Sequence, residues 1–236
     1  MKVKIITLIL LTLTSIGYSQ NSSEEMLFSS AIKTNIKTYN LAINKVDYRT
    51  QPQQCNIIFN DFVSDNIIST RFDNFKAKQL NGRLVNFNKY FEKPLILTTY
   101  ASWFLIEEGS VFELNQLAEQ HHESVDFAVV FWEDRSSVRK KAKLFNKHVK
   151  VLYINERENT FSNEVRHLKY PLGHSLIYYI NKKNTIVDLR KNHYFSPEIN
   201  NTYNQDLVNN SNNQFTKGLS LLLLKEDPKN TSIVSK

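Results

Sequence analysis

Residues 93–107 read KPLILTTYASWFLIE, and their pattern predicts the class of fold. The turn pair Lys93-Pro94 precedes a short, mostly apolar run, Leu95–Tyr100, which predicts a buried strand. Helical spacing of apolar residues predicts a helix over 107–121, with Glu107 in its first turn, where a carboxylate suits the helix dipole. A buried strand followed by a helix indicates an α/β protein.

The same two patterns alternate along the rest of the chain. The predicted strands are Val125–Trp132, Val149–Ile154, Leu176–Ile180 and Thr185–Leu189, and the predicted helices cover 134–147, 160–169 and part of 203–224. Alternating strands and helices indicate a mainly parallel sheet covered by helices. The last two strands are joined by the turn 181–184 as a hairpin, which makes the predicted sheet mixed.

Short motifs within these elements resemble one known family. They are Phe75 with Leu80-Asn81-Gly82, Lys93-Pro94 with its strand, Tyr100-Ala101-Ser102-Trp103, Glu113–Ala118, Ile177–Asn181 and Thr185–Val187. In this order they are similar to the TlpA-like, or redoxin, branch of the thioredoxin superfamily. The resemblance covers roughly residues 72–195. It implies a thioredoxin-like fold, a central mixed β-sheet flanked by helices, and a family activity of thiol–disulfide exchange.

The chain departs from that family where the chemistry would take place. Family members continue Ala-Ser-Trp with Cys-x-x-Cys, whereas this chain has Phe104 and Glu107 at the two cysteine positions. The family reaction needs a thiolate that attacks a disulfide, and neither side chain supplies one. Ser175 aligns with the family's cis-proline, and Pro171 would serve only if the alignment shifts. A cis bond before a non-proline residue costs about 2.5–4 kcal/mol, so we expect a trans bond. The sequence therefore predicts a degenerate, redox-inactive site with no catalytic residue.

The resemblance still implies a groove around these positions. We call it the vestigial groove, formed by Trp103, Phe104, Glu107, His174 and Ser175, and expect it to be a binding site. Trp103 and Phe104, the apolar residues of the groove, have two interpretations. They are either exposed and form a contact patch for another envelope protein, or they are buried in the core. The first interpretation predicts a binding or scaffold module. A different chemistry on the same fold stays open, because fold does not fix function.

Cys55 is the single cysteine of the chain, so no intramolecular disulfide can form. It has two interpretations. It is either an inert, half-buried thiol, or the reactive thiol of a one-cysteine oxidoreductase or peroxidase, which requires exposure and a lowered pKa.

The N-terminus predicts export. Lys2 and Lys4 precede the apolar run Ile5–Ile16, and small residues precede a cut after Ser19, a pattern typical of a secretory signal peptide. The alternative is a retained anchor, although the run is shorter than the roughly 20 residues of a membrane-spanning helix. The predicted organisation is a signal peptide over 1–20, an N-terminal extension over 21–70, a thioredoxin-like domain over 71–225 and a disordered tail over 226–236. We expect a periplasmic, envelope or secreted location and no membrane span in the mature chain.

Other partners are not predicted. His121 and His122 are neighbours on a helix and point to different sides, so they do not converge on a metal ion. The chain has no glycine-rich phosphate loop and no nucleic-acid motif, and its basic run within 135–147 is read as a solvated helix face. We therefore expect no cofactor, no metal and no nucleic-acid partner.

Overall fold

The computed structural model describes residues 25–100, 108–159, 162–173, 175–192 and 214–226. The strands in these ranges are β1 Lys76–Gln79, β2 Leu84–Asn86, β3 Leu95–Tyr100, β4 Asp126–Phe131, β5 Val149–Tyr153, β6 Leu176–Ile180 and β7 Ile186–Lys191. The α-helices are α1 Phe28–Ile43, α2 Pro52–Asn66, α3 Phe87–Tyr90, α4 Glu108–His121, α5 Arg135–Lys141, α6 Asn163–His167 and α7 Gln214–Glu226.

The seven strands form one sheet in the order β2-β1-β5-β4-β3-β6-β7. β3 is parallel to β4, and β4 is parallel to β5, whereas the remaining pairs are antiparallel. The parallel strands are connected through α4 and α5, as the alternation of strands and helices predicted. The predicted α/β class, with a central mixed sheet flanked by helices, is confirmed.

Each face of the sheet has its own hydrophobic core. Leu95 and Leu97 of β3 point into a core shared with α1 and α2, and Ile96 between them points into a core shared with α4 and α7. This two-residue alternation follows from the pleat of a strand. Because β3, β4 and β6 are buried on both faces, they appear in the sequence as mostly apolar runs, whereas β5 carries the partly buried Lys150.

The segment before residue 71, for which the sequence predicted an N-terminal extension without assigned elements, packs on the sheet through two helices. Phe28 of α1 has no exposed surface, and its ring meets Tyr178 of β6 edge-on at a centroid distance of 5.6 Å. The Ser29 backbone N–H and Oγ both donate to the Asp73 carboxylate, at 2.8 and 2.5 Å. α1 therefore contributes to the same core as the central strands.

The helix predicted over 134–147 is shorter than expected. Asp134 begins α5 by accepting hydrogen bonds from the backbone N–H groups of Ser136 and Ser137. The helix ends at Lys141 and a 3₁₀ turn follows over Ala142–Leu144. Asn146 is instead bonded to Asn115 of α4, through its backbone N–H at 2.9 Å and its side-chain amide at 2.7 Å. These tertiary hydrogen bonds fix the chain outside a helix, so the prediction was wrong beyond Leu144.

Within the described ranges, no helix combines the length and the apolar character that crossing a bilayer requires.

Candidate functional site

The vestigial groove predicted from the sequence is described at one of its five residues. Trp103, Phe104, Glu107 and His174 lie outside the described residues, and Ser175 lies within them. Ser175 directly precedes β6, which pairs with β3, so it is near the carboxyl end of the strand that leads toward Trp103.

Ser175 is buried, with 1% of its surface exposed. Its carbonyl accepts a hydrogen bond from the Asn192 backbone N–H at 2.8 Å, and the Thr99 hydroxyl accepts one from the Leu176 N–H at 3.2 Å. The Ser175 hydroxyl and the Asn192 side-chain N–H₂ have no partner among the described residues. A buried polar group without a partner costs about 1–3 kcal/mol, and both of these groups border parts of the chain outside the described residues.

The described part of this region does not form an activated nucleophile. Such a site needs a serine or cysteine within hydrogen-bond reach of a base that a third group orients. Among the described residues, no histidine or carboxylate is bonded to the Ser175 hydroxyl. No peptide bond between described residues is cis, so the bond from Tyr170 to Pro171 is trans.

Cys55 lies in α2 and is buried, with 3% of its surface exposed. It neighbours Tyr39, whose pKa is raised to about 12 by burial and then by the charge of the cysteine. It also interacts electrostatically with Lys191 at the end of β7. Lys191 is in register with Leu176, so the thiol lies at the end of the sheet where Ser175 is found. A reactive thiol must be accessible, and the burial of Cys55 limits access.

A cleft of about 450 Å³ separates α2 from β7, and we call it the α2–β7 cleft. It is lined by Asn56, Phe59, Asn60, Val63, Ser64, Ile68 and residues 188–191. The Lys191 ammonium donates a hydrogen bond to Asn56 Oδ1 at 3.1 Å and lies 4.7 Å from the centre of the Phe59 ring. Burial lowers the pKa of Lys191, and the neighbouring Cys55 acts in the opposite direction. This cleft could not be predicted from the sequence, because the residues of its two walls are more than a hundred positions apart in the chain.

The histidines are arranged differently from the adjacent pair considered in the sequence. His122 stacks on His148, with ring centroids 3.8 Å apart, and His148 Nε2 lies 3.5 Å from a carboxylate oxygen of Glu119. His122 Nδ1 also lies 3.0 Å from the Glu119 carbonyl oxygen, and because a carbonyl only accepts, the imidazole is the donor in that hydrogen bond. Within the described ranges, no group of three or more His, Cys, Asp or Glu side chains is arranged to hold a metal ion.

Comparison with known proteins gives likeness of structure only. No family model matches the chain. No curated protein matches it either. A protein assigned as the thiol:disulfide interchange protein DsbE of Chlorobium tepidum has 13% identity and a TM-score of 0.49, with 66% of this chain and 97% of that chain covered. Peroxidoxin BcpB of Mycobacterium tuberculosis has 11% identity and a TM-score of 0.49, covering 68% and 99%.

A secreted disulfide oxidoreductase of Mycobacterium tuberculosis, homologous to Escherichia coli DsbE, has 15% identity and a TM-score of 0.41, covering 58% of this chain and 93% of that one. With identities of 11–15% and TM-scores of 0.41–0.49, these likenesses assign no activity to this chain. The fold of the chain is thioredoxin-like: parallel β3, β4 and β5 with the antiparallel β6–β7 hairpin beside β3.

Proposed function

We propose that the chain is an exported thioredoxin-like binding module of the cell envelope that does not catalyse thiol–disulfide exchange. One observation carries the proposal. The chain contains a single cysteine, and that cysteine is buried within α2 rather than at the start of α4, where the family's reactive pair would lie. Phe104 and Glu107 occupy the family's cysteine positions in the sequence.

The chemistry of the family reaction requires more sulfur than the chain has. In reducing a client disulfide, one thiolate attacks a client sulfur and forms a mixed disulfide, and a second thiol of the same protein then breaks it. The client leaves as a dithiol, and the protein leaves with an internal disulfide. With one cysteine the second step cannot occur within the chain.

The binding surface that we propose is the vestigial groove, and its partner is another envelope protein. Support comes from the described end of the groove, where Ser175 and Asn192 keep buried polar groups without partners among the described residues. These groups have no accessible surface in the free chain, so a partner backbone would have to displace neighbouring side chains to supply the missing hydrogen bonds. Apolar Trp103 and Phe104 would add contact area if they form the exposed patch expected from the sequence.

Insulin reduction by dithiothreitol tests the absence of catalysis. The rate at which insulin precipitates is measured without protein, with the wild-type chain and with Cys55→Ala. We expect both proteins to give the uncatalysed rate, because no pair of thiols cycles. A wild-type rate above both the uncatalysed rate and the Cys55→Ala rate would refute the proposal.

The alternative, a one-cysteine oxidoreductase or peroxidase, is favoured by a single contact. Lys191 lies close enough to Cys55 to interact with it electrostatically, and a cation nearby is one of the features that reactive cysteines share. The burial of the thiol opposes the same activity. Labelling of the folded protein with a maleimide at neutral pH separates the two. Absence of labelling in the folded protein, with full labelling after unfolding in urea, ends the alternative.

Export rests on residues 1–20. Expressed with its full N-terminus in a Gram-negative bacterium, the protein should be recovered from the periplasmic fraction with a mature N-terminus at Gln20. Recovery from the cytoplasm with Met1 intact would contradict export, and it would leave the proposed absence of thiol–disulfide exchange unaffected.

A further inference from the structure

The α2–β7 cleft contains a cation that no carboxylate of the described residues neutralises. Three charged side chains line it: Asp188, Arg190 and Lys191. Asp188 pairs with Arg190, whose Nε lies 2.6 Å from the carboxylate. Lys191 forms no ion pair with any carboxylate among the described residues, and Asn56 supplies its one hydrogen-bond acceptor. The lining therefore has a net positive charge located on Lys191.

This charge is buried. Only 8% of the surface of Lys191 is exposed, although lysine is among the residues least often found inside proteins. An ammonium has three N–H donors, and the amide oxygen of Asn56 accepts one of them. The face of the Phe59 ring adds a cation–π contact at 4.7 Å, which compensates for part of the lost hydration. Removing a charge from water is costly unless an opposite charge replaces the water, so an anion beside Lys191 would restore what burial removes.

The cleft has the size and lining of a small-molecule site. Its volume of about 450 Å³ falls within the range of ligand pockets, which is about 300–1,000 Å³. Phe59 and Val63 form an apolar floor. Asn60 and Ser64 lie one and two helical turns beyond Asn56 on the same face of α2 and contribute an exposed amide and hydroxyl to the rim. One buried cation, an apolar floor and polar groups along one side suit an anion with an apolar body.

We propose that the α2–β7 cleft binds a carboxylate with an apolar tail, and that the carboxylate pairs with the Lys191 ammonium. A free aliphatic acid and the C-terminal residue of a peptide both present this chemistry. The site goes beyond the function proposed above, since it lies between α2 and β7 and uses none of the residues of the vestigial groove. Its failure would leave that function untouched.

Calorimetric titration with matched probe pairs tests the proposal. The probes are hexanoate and its neutral counterpart hexanamide, and the peptide acetyl-Gly-Ala-Val-Ile with a free or an amidated C-terminus. We expect at least one free carboxylate to bind the wild-type chain about tenfold or more tightly than its amide, the effect of one charge-assisted hydrogen bond. Binding by hexanoate alone identifies a small acid, and binding by the free peptide alone identifies a chain terminus. Equal binding of acid and amide, or no binding of either carboxylate at about 10 mM, would overturn the proposal.

Two variants with matched controls locate the site. Lys191→Met keeps the aliphatic stem and removes the charge, so it should abolish the preference for the acid, and Lys183→Met in the exposed β6–β7 turn should keep it. Asn60→Trp fills the cleft from an exposed helical position and should weaken binding about tenfold or more, whereas Gln54→Trp, exposed on α2 outside the cleft, should not. If circular dichroism shows that Lys191→Met does not fold, the tryptophan pair decides. Unchanged binding in folded Lys191→Met or in Asn60→Trp would contradict the assignment.

Discussion

Phe28→Ala removes the side chain through which the N-terminal helix α1 enters the core. The ring has no exposed surface and contacts Tyr178 edge-on at 5.6 Å and Phe72 at 6.1 Å, measured between ring centroids. Phe72 in turn packs on Phe75 and Phe87, so the cavity would open inside a cluster of five aromatic rings. Truncation of a buried phenylalanine to alanine costs about 3–5 kcal/mol. Domains are typically stable by about 5–15 kcal/mol, so the loss would be a large share of the total.

Urea unfolding followed by circular dichroism measures the effect. The control is Ile57→Ala on α2, where half of the side chain is exposed, and we expect it to change the free energy of unfolding by about 0.5 kcal/mol or less. The comparison requires an unchanged dependence on urea, which shows that both proteins expose the same surface on unfolding. A loss below about 1 kcal/mol for Phe28→Ala would refute the conclusion that α1 belongs to the core, since the expected range for a buried phenylalanine begins far above it.

Three further substitutions test separate features of the fold. Gly218→Ala places a methyl group inside the van der Waals radius of the buried Tyr179 ring. The overpacking cost of about 1–3 kcal/mol should exceed the gain of about 1 kcal/mol in helix propensity, so the substitution should lower the melting temperature. A rise in the melting temperature would contradict this. Burial lowers the pKa of Lys191 below its usual 10.5. At a pH between the folded and the unfolded pKa, Lys191 is therefore neutral in the folded chain and protonated in the unfolded chain. The wild type should therefore gain stability over Lys191→Met as the pH rises through the folded pKa toward 10.5, and parallel pH profiles of the two proteins would argue against it. Hydrogen bonds to the Asp134 carboxylate, the strongest of them from the Ser136 hydroxyl, hold its pKa well below the usual 3.8. Asp134→Ala should therefore lower the melting temperature at neutral pH. The difference between the two proteins should shrink as the pH falls below 3.8, because the carboxylate becomes protonated.

The central strands could be predicted because their sequence pattern and their environment agree. Leu95–Tyr100 and the strand that became Asp126–Phe131 are buried on both faces, and such strands appear as unbroken apolar runs. The N-terminal helices could not be predicted as firmly. In α1 the buried residues Phe28, Ala31, Ile32 and Tyr39 fall on one helical face, but exposed apolar residues such as Met26 and Leu41 obscure that pattern in the sequence.

The candidate site depends on distances in space that the sequence does not contain. The pairing of His122 with His148 joins the end of α4 to the residue before β5, and adjacent His121 takes no part in it. Lys191 appears in the sequence as an ordinary lysine at the end of a hairpin strand. Its burial follows only from the packing of α2 against β7, an edge strand, and no periodicity in either element predicts which edge a helix covers.

Whole-protein mass spectrometry during turnover tests the central claim most directly. The native chain is incubated at neutral pH with oxidised glutathione, then with insulin and dithiothreitol, and each mixture is quenched with acid before the masses are read. The absence of sulfur exchange predicts the unmodified mass throughout, with an adduct on Cys55 appearing only after unfolding in urea. A mixed disulfide on Cys55 of the folded chain that forms and disappears as insulin is reduced would contradict it.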